Sequence, residues 1–251
     1  MLTPSLLAAL AVALPAAASE AETANLAPPT EVAETPAELP ESVLEPAPVV
    51  EKWIGTLAVL GSRKVPLLGK VEFRTDTQVL ATATEEGPVW TVAQKTCRVN
   101  FPKVAGAKIS LNETAPQVMP IAHFNWVPGE DEWHAGPWGS GWDENDHDGD
   151  GNPGITFHVQ APFCGGDIYV SSKASQTARG KPGKDDTVVE GVIDIHVEQN
   201  ILGARGPCLT LMARDTKEWM RGQFAFVRVE DDATCDSVKV DRFPDPMSEG
   251  N

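Results

Sequence analysis

The chain has 251 residues, a formal charge of -16 from 36 acidic and 20 basic side chains, and four cysteines. Length allows one or two domains. The acidic balance, with no cluster of Lys or Arg, excludes a phosphate-binding role on nucleic acid and disfavours anionic membrane surfaces.

The N-terminal run "MLTPSLLAALAVALPAAASEA" is apolar from Leu6 to Leu14 and then rich in small residues. It predicts a signal peptide over 1–21, cleaved near Ala16 to Ala21, and hence a secreted or periplasmic protein. The apolar stretch is shorter than the roughly 20 residues that span a bilayer, and no other segment is long enough, so no transmembrane segment is expected. No cysteine lies near the cleavage region to carry a lipid.

From Ser19 to Glu51 there are eight Glu and six Pro, and no Lys, Arg or aromatic residue. Such a segment cannot bury apolar surface, and residues 22–51 are predicted to be a disordered, self-repelling linker.

A single β domain is predicted over 52–243, followed by a disordered tail at 244–251. Strand patterns recur, separated by Gly, Pro, Asn and Asp: "KWIGTLAVLG", "VEFRTDTQVLATATEEG", "PVWTVAQKTCRVNF", "AKISLNE", "GITFHVQAP", "GDIYVSSKA", "TVVEGVIDIHVEQ" and "QFAFVRVED". Ile193, Ile195 and Val197 alternate with Asp194, His196 and Glu198, the period of an antiparallel sheet with one face on a core. About eight such strands make an all-β barrel or sandwich. One short helix near the C-terminus is expected at "DTKEWMRG", where Asp215 and Glu218 have capping-box spacing and Gly222 is a stop.

Cys97, Cys164, Cys208 and Cys235 fit two disulfides in an exported chain. Of the three connectivities, Cys97–Cys164 with Cys208–Cys235 is the expected one, the second pair tying a long excursion to the last strand.

The segment "NWVPGEDEWHAGPWGSGW" reads as a loop holding Trp126, Trp133, Trp138 and Trp142. Two roles fit it. Trp133, Trp138 and Trp142 would form a contact surface for a small molecule or glycan, or the rings would pack over one end of the core. The five histidines have no metal spacing, and hydrolase, phosphate-loop and dinucleotide motifs are absent. A non-enzymatic protein is expected.

The most specific feature is "DENDHDGDGNPG", with five acidic residues in the eight positions from Asp143 to Asp150. With Gly151 at the sixth position of a calcium loop, Asp146, Asp148 and Asp150 fall at the first, third and fifth. Ca²⁺ takes six to eight oxygens at about 2.3–2.6 Å, and alternate residues of a tight loop aim carboxylates inward. The backbone carbonyl of Asn152 would be the next ligand. Phe157 stands where an EF-hand has its bidentate Glu, and a strand follows, so the loop belongs to a β scaffold. Further ligands would come from Asp143, Glu144, Asp131 or Asp167, while His147 points outward.

"DHDGDGNPGITFHV" resembles the D-x-D-G-D-G-x-P-G segment of uncharacterised exported bacterial β-rich proteins. In them a "VPLLGKVEFRT"-like stretch precedes the loop, and a "GDIYV"-like strand and an "FVRV…C" stretch follow. The loop itself is similar to those of thrombospondin type 3 repeats and dockerins, present here in one copy. The resemblance implies a calcium site on a β fold and no activity. The expectation is thus an exported, non-enzymatic β domain with a structural calcium site in 143–154. The alternative is a lipid- or glycan-binding module using the barrel interior or the Trp-rich 126–142 segment. The sequence names no protein partner.

Overall fold

The computed structural model describes residues 48–65, 69–104, 106–161, 164–182, 188–237, 240 and 243–246. The predicted signal segment, nearly all of the predicted linker and most of the predicted tail lie outside the described residues.

Ten strands and two single-turn helices follow in the order β1 (Val50–Val65), β2 (Gly69–Glu86), β3 (Val89–Val104), β4 (Ala107–Leu111), α1 (Ala115–Val118), β5 (Ala122–Val127), β6 (Trp133–Trp142), β7 (Ile155–Gln160), β8 (Gly166–Pro182), β9 (Val188–Arg205), α2 (Leu209–Met212) and β10 (Thr216–Val229). The sheet runs β2-β1-β10-β9-β8-β6-β5-β3, and β3 pairs again with β2, so eight strands close into a ring. The ring makes the fold a barrel, and a closed ring leaves no long edge to be protected.

Six strands are 14 to 18 residues long and run the length of the wall. Between β3 and β8 the wall is built from short strands in tandem. At one end β5 and β6 fill the gap, pairing with Trp90–Gln94 of β3 and Ser172–Gly180 of β8. At the other end β4 and β7 fill it, pairing with Phe101–Val104 of β3 and Gly166–Val170 of β8. The ring therefore keeps eight strands at both ends.

Alternation sends one side chain in two to the interior. Phe73, Phe101, Phe124, Trp126, Trp138, Phe157, Met220 and Phe224 belong to one continuous buried core. Phe124 stacks on Trp138 with centroids 4.5 Å apart.

Residues 215–222 are not helical. Thr216–Val229 is a strand in which Glu218, Met220, Gly222, Phe224 and Phe226 are buried and Lys217, Trp219 and Arg221 are exposed. Period two here overrides the capping-box spacing, because both neighbouring strands supply ladder partners. The Asp215 carboxylate, read as a helix cap, accepts the backbone N–H of Ile201 at 2.7 Å. The helical turn near the C-terminus is α2, just before this strand.

The disulfides are Cys97–Cys235 and Cys164–Cys208, correcting the expected pairing. Register explains both. Asp167 faces Arg205 on the β8–β9 ladder, and three residues beyond each, just past the strand ends, stand Cys164 and Cys208, with Cα atoms 5.7 Å apart. Cys97 is the extra residue of a bulge in β3, skipped between the Gln78–Arg98 and Val79–Thr96 pairs. It meets Cys235 on the segment that leaves β10, with Cα atoms 5.2 Å apart. That segment runs back along the barrel wall: Lys52 donates to the carbonyl of Ala233, and Arg74 to that of Pro244.

Candidate functional site

The acidic loop sits where the wall passes from one tandem pair to the other. Trp142, the last residue of β6, faces Ser172 of β8, and Ile155, the first of β7, faces Val170. The chain leaves the wall after Trp142 and returns two residues along β8, so residues 143–154 stand out as a closed loop. Its two ends are joined by a parallel bridge between Asp146 and Gly154. Gly154 has a φ of 75°, and a side chain there would meet the Val170 carbonyl, so only glycine lets the chain turn back under β8.

Asp146 organises the turn. One carboxylate oxygen accepts the N–H groups of Gly149 and Asp150 at 2.8 and 3.2 Å, and the other accepts that of Gly151 at 2.9 Å. Gly151 has a φ of 85°, the left-handed conformation that the sixth position requires. The Asp150 carboxylate accepts the backbone and side-chain N–H of Asn152 at 2.9 and 3.0 Å. The Asn152 side chain is thus folded onto Asp150.

Asp148 is the inner member of the group, buried against the barrel wall. It is only 6% exposed. One of its carboxylate oxygens accepts the N–H of Thr156 at 3.0 Å, and the other is buried without a partner. Burial raises its pKa, and the charges of Asp150 and Asp146 push in the same direction. The backbone carbonyl of Asp148 accepts the Thr114 hydroxyl, just before α1, at 2.9 Å.

Carboxylate oxygens of Asp146, Asp148 and Asp150 lie within 4.8 Å of one another, a grouping that can hold a metal ion. Two oxygens on opposite sides of one Ca²⁺ stand at most about 4.6–5.2 Å apart, so the spread fits a single such ion. None of the other acidic candidates, Asp143, Glu144, Asp131 or Asp167, joins this group among the described residues. Asp143 lies 2.7 Å from His147, and its pKa is lowered by the Asn145 N–H and by His147. Asp167 is held by His158 and Arg205 at 2.7 and 2.6 Å. Asp131 lies in the turn between β5 and β6, at the other end of β6.

Ser110, His158 and Asp167 stand abreast on β4, β7 and β8, the residue types of a hydrolytic triad in one row. Ser110 makes no hydrogen bond to the imidazole, and Asp167 is shared with Arg205, so the row lacks the nucleophile–base contact that such chemistry needs.

The Trp-rich segment is β5 and β6 with a tight turn, not a loop. Gly136 and Pro137 interrupt β6 only as a register shift between Ala135 and Trp138. Trp138 and Trp142 are core residues, and the Trp142 indole donates to the Val170 carbonyl at 2.6 Å. Of the three candidate contact residues, Trp133 borders a cavity. That cavity, of about 400 Å³, opens at the barrel end where β1 begins and β10 finishes, with Trp53, Trp90, Trp126 and Trp133 in its wall. Trp53 and Trp90 were legible only as alternating strand residues; their convergence depends on barrel closure.

Fold and site together define a closed antiparallel barrel with an acidic, metal-type loop inserted in its wall. No family model matches the chain, and no curated protein or solved structure does either.

Proposed function

We propose that the chain is an exported, non-enzymatic β-barrel domain whose 143–154 loop is fastened to the wall by one structural Ca²⁺. The observation that carries this reading is the buried carboxylate oxygen of Asp148, which has no partner and belongs to a group of three acids. A buried, unpaired carboxylate is costly, and a cation shared with Asp146 and Asp150 would satisfy it. The donors are all hard oxygens, the set that suits Ca²⁺. The Asn152 carbonyl and water would complete the shell. Two disulfides support an oxidising compartment.

The test is a calorimetric titration with Ca²⁺, paired with melting curves in Ca²⁺ and in EDTA and a Mg²⁺ control. A single site is expected, with a Kd on the order of 10⁻⁴–10⁻³ M, as for weak extracellular modules. At a hundredfold excess over Kd the fold gains about 2.7 kcal/mol. Absence of heat together with identical melting in Ca²⁺ and EDTA would sink the reading.

A further inference from the structure

The barrel mouth holds a cavity that shares no lining residue with the acidic loop. At this end the inward row includes Glu51 and Trp53 of β1, Ala81 and Ala83 of β2, Trp90 and Val92 of β3, Trp126 of β5 and Trp133 of β6, with Phe226 and Arg228 of β10. Trp126 and Phe226 are buried and form the floor. The indoles come from β1, β3, β5 and β6, whereas β2 contributes only two alanines, and the void lies over them. A packed barrel end would have larger residues there.

The chemistry of the lining decides what such a cavity takes. Among the described lining residues the charged ones are Glu51 and Arg228, and they pair with each other at 2.9 Å, so this lining carries no net charge. No Ser, Thr, Asn, Gln, His or Tyr is among the described lining residues, so beyond the Glu51–Arg228 pair and the indole N–H groups little would answer the many hydroxyls of a sugar. An inorganic ion would find no free charge among the described lining residues, and an organic cation, which indole faces attract, is the competitor that the test must separate. The volume of about 400 Å³ is at the small end of the range for small-molecule sites, roughly 300–1,000 Å³. That excludes a folded partner or a large lipid.

We infer that the mouth binds a compact, uncharged, predominantly apolar molecule, with a planar ring system stacked among Trp53, Trp90, Trp126 and Trp133. Any polar edge of the ligand lies outward, beside the Glu51–Arg228 pair. The barrel interior beneath is filled by side chains, so the ligand sits in the mouth and does not pass along the axis. This narrows the two ligand classes raised by the sequence: the lining favours an apolar ring over a glycan, and the volume excludes a long lipid.

The experiment uses the full chain and the neutral aromatic probe N-phenyl-1-naphthylamine, read by probe enhancement and by tryptophan quenching. Saturable binding is expected, equal in Ca²⁺ and in EDTA. Ala83→Trp, which fills the void, should abolish saturation, and Trp133→Ala should weaken binding about tenfold, as expected for loss of one stacking wall. Trp219→Ala is the control, because Trp219 is 76% exposed on the outer face and should leave binding unchanged. Both mouth variants are checked for native melting. If Ala83→Trp does not fold, the Trp133→Ala and Trp219→Ala pair decides. Non-saturable enhancement, or equal loss with Trp219→Ala, would overturn the proposal. Displacement of the probe by maltose or tetramethylammonium, in preference to naphthalene, would overturn the class assignment.

Discussion

The hydroxyl of Thr114 donates to the backbone carbonyl of Asp148 across 34 residues of sequence. Thr114 is the N-cap residue of α1 yet makes no side-chain cap there. Its hydrogen bond goes instead to the acidic loop, joining the β4–β5 connection to the β6–β7 connection. Thr114→Val removes that bond and little volume. It should cost about 1 kcal/mol, a loss of roughly 2–4 °C in melting temperature for a chain of this size. Thr114→Ser should restore it. If Val and Ser melt alike, the bond does not hold the loop.

Asp148→Asn separates the metal from the fold. Its side-chain carbonyl can still accept from Thr156, and its amide can donate to the neighbouring carboxylates. In EDTA the variant should therefore match or exceed the native chain by up to about 1 kcal/mol, since a buried like-charge contact has been removed. In Ca²⁺ it should be the less stable of the two. A crossing of the two stabilities on adding Ca²⁺ is the expected signature, and parallel behaviour would count against the ion.

How much of this was legible in sequence depends on the range of the interaction. The strands of β2, β3, β8 and β9 show their period locally, and the acid spacing around Gly151 is a local pattern too. The Asp215–Glu218 spacing misled because capping signals are also local, while the pairing of β10 with β1 and β9 is not. Gly136, Pro137, Gly139 and Gly141 read as loop punctuation, yet β6 absorbs them as a bulge and close approaches to β8. Gly141 takes a φ of 138°, and a side chain there would strike the Ser172 carbonyl. The mouth was not legible, because its four indoles lie on four strands. Neither was the disulfide pattern, which follows from the β8–β9 register and a bulge at Cys97.

The two disulfides close spans of 138 and 44 residues. If they act by restricting the unfolded chain, the longer span contributes about 5 kcal/mol and the shorter about 4 kcal/mol. Replacing Cys97 and Cys235 by Ser should thus lower the denaturation midpoint more than replacing Cys164 and Cys208. Chemical denaturation of the two double variants checks the order, and a larger loss for the shorter span would point to native-state packing around α2 instead.

The barrel end opposite the Trp-lined mouth carries an interior ion pair, Arg63 with Glu218, and Arg63 also donates to Gln199 and Thr216. Burial raises the pKa of Glu218, and Arg63 opposes that rise. With a folded pKa above the unfolded one, the folded chain holds a proton that the unfolded chain has released within that window. Stability from this group is therefore greatest below the unfolded pKa and is lost as pH rises through the folded one. Arg63→Met removes the opposing charge and widens the window. It should cost about 3–5 kcal/mol near pH 8, where a lone buried carboxylate must ionise, and clearly less near pH 5. Adding Glu218→Gln to Arg63→Met removes the stranded charge, so the double variant should recover most of the loss and flatten the pH dependence. Denaturation midpoints of the single and double variants across that pH range test the argument. An Arg63→Met loss that does not change with pH would mean the side chain acts by packing, not by charge.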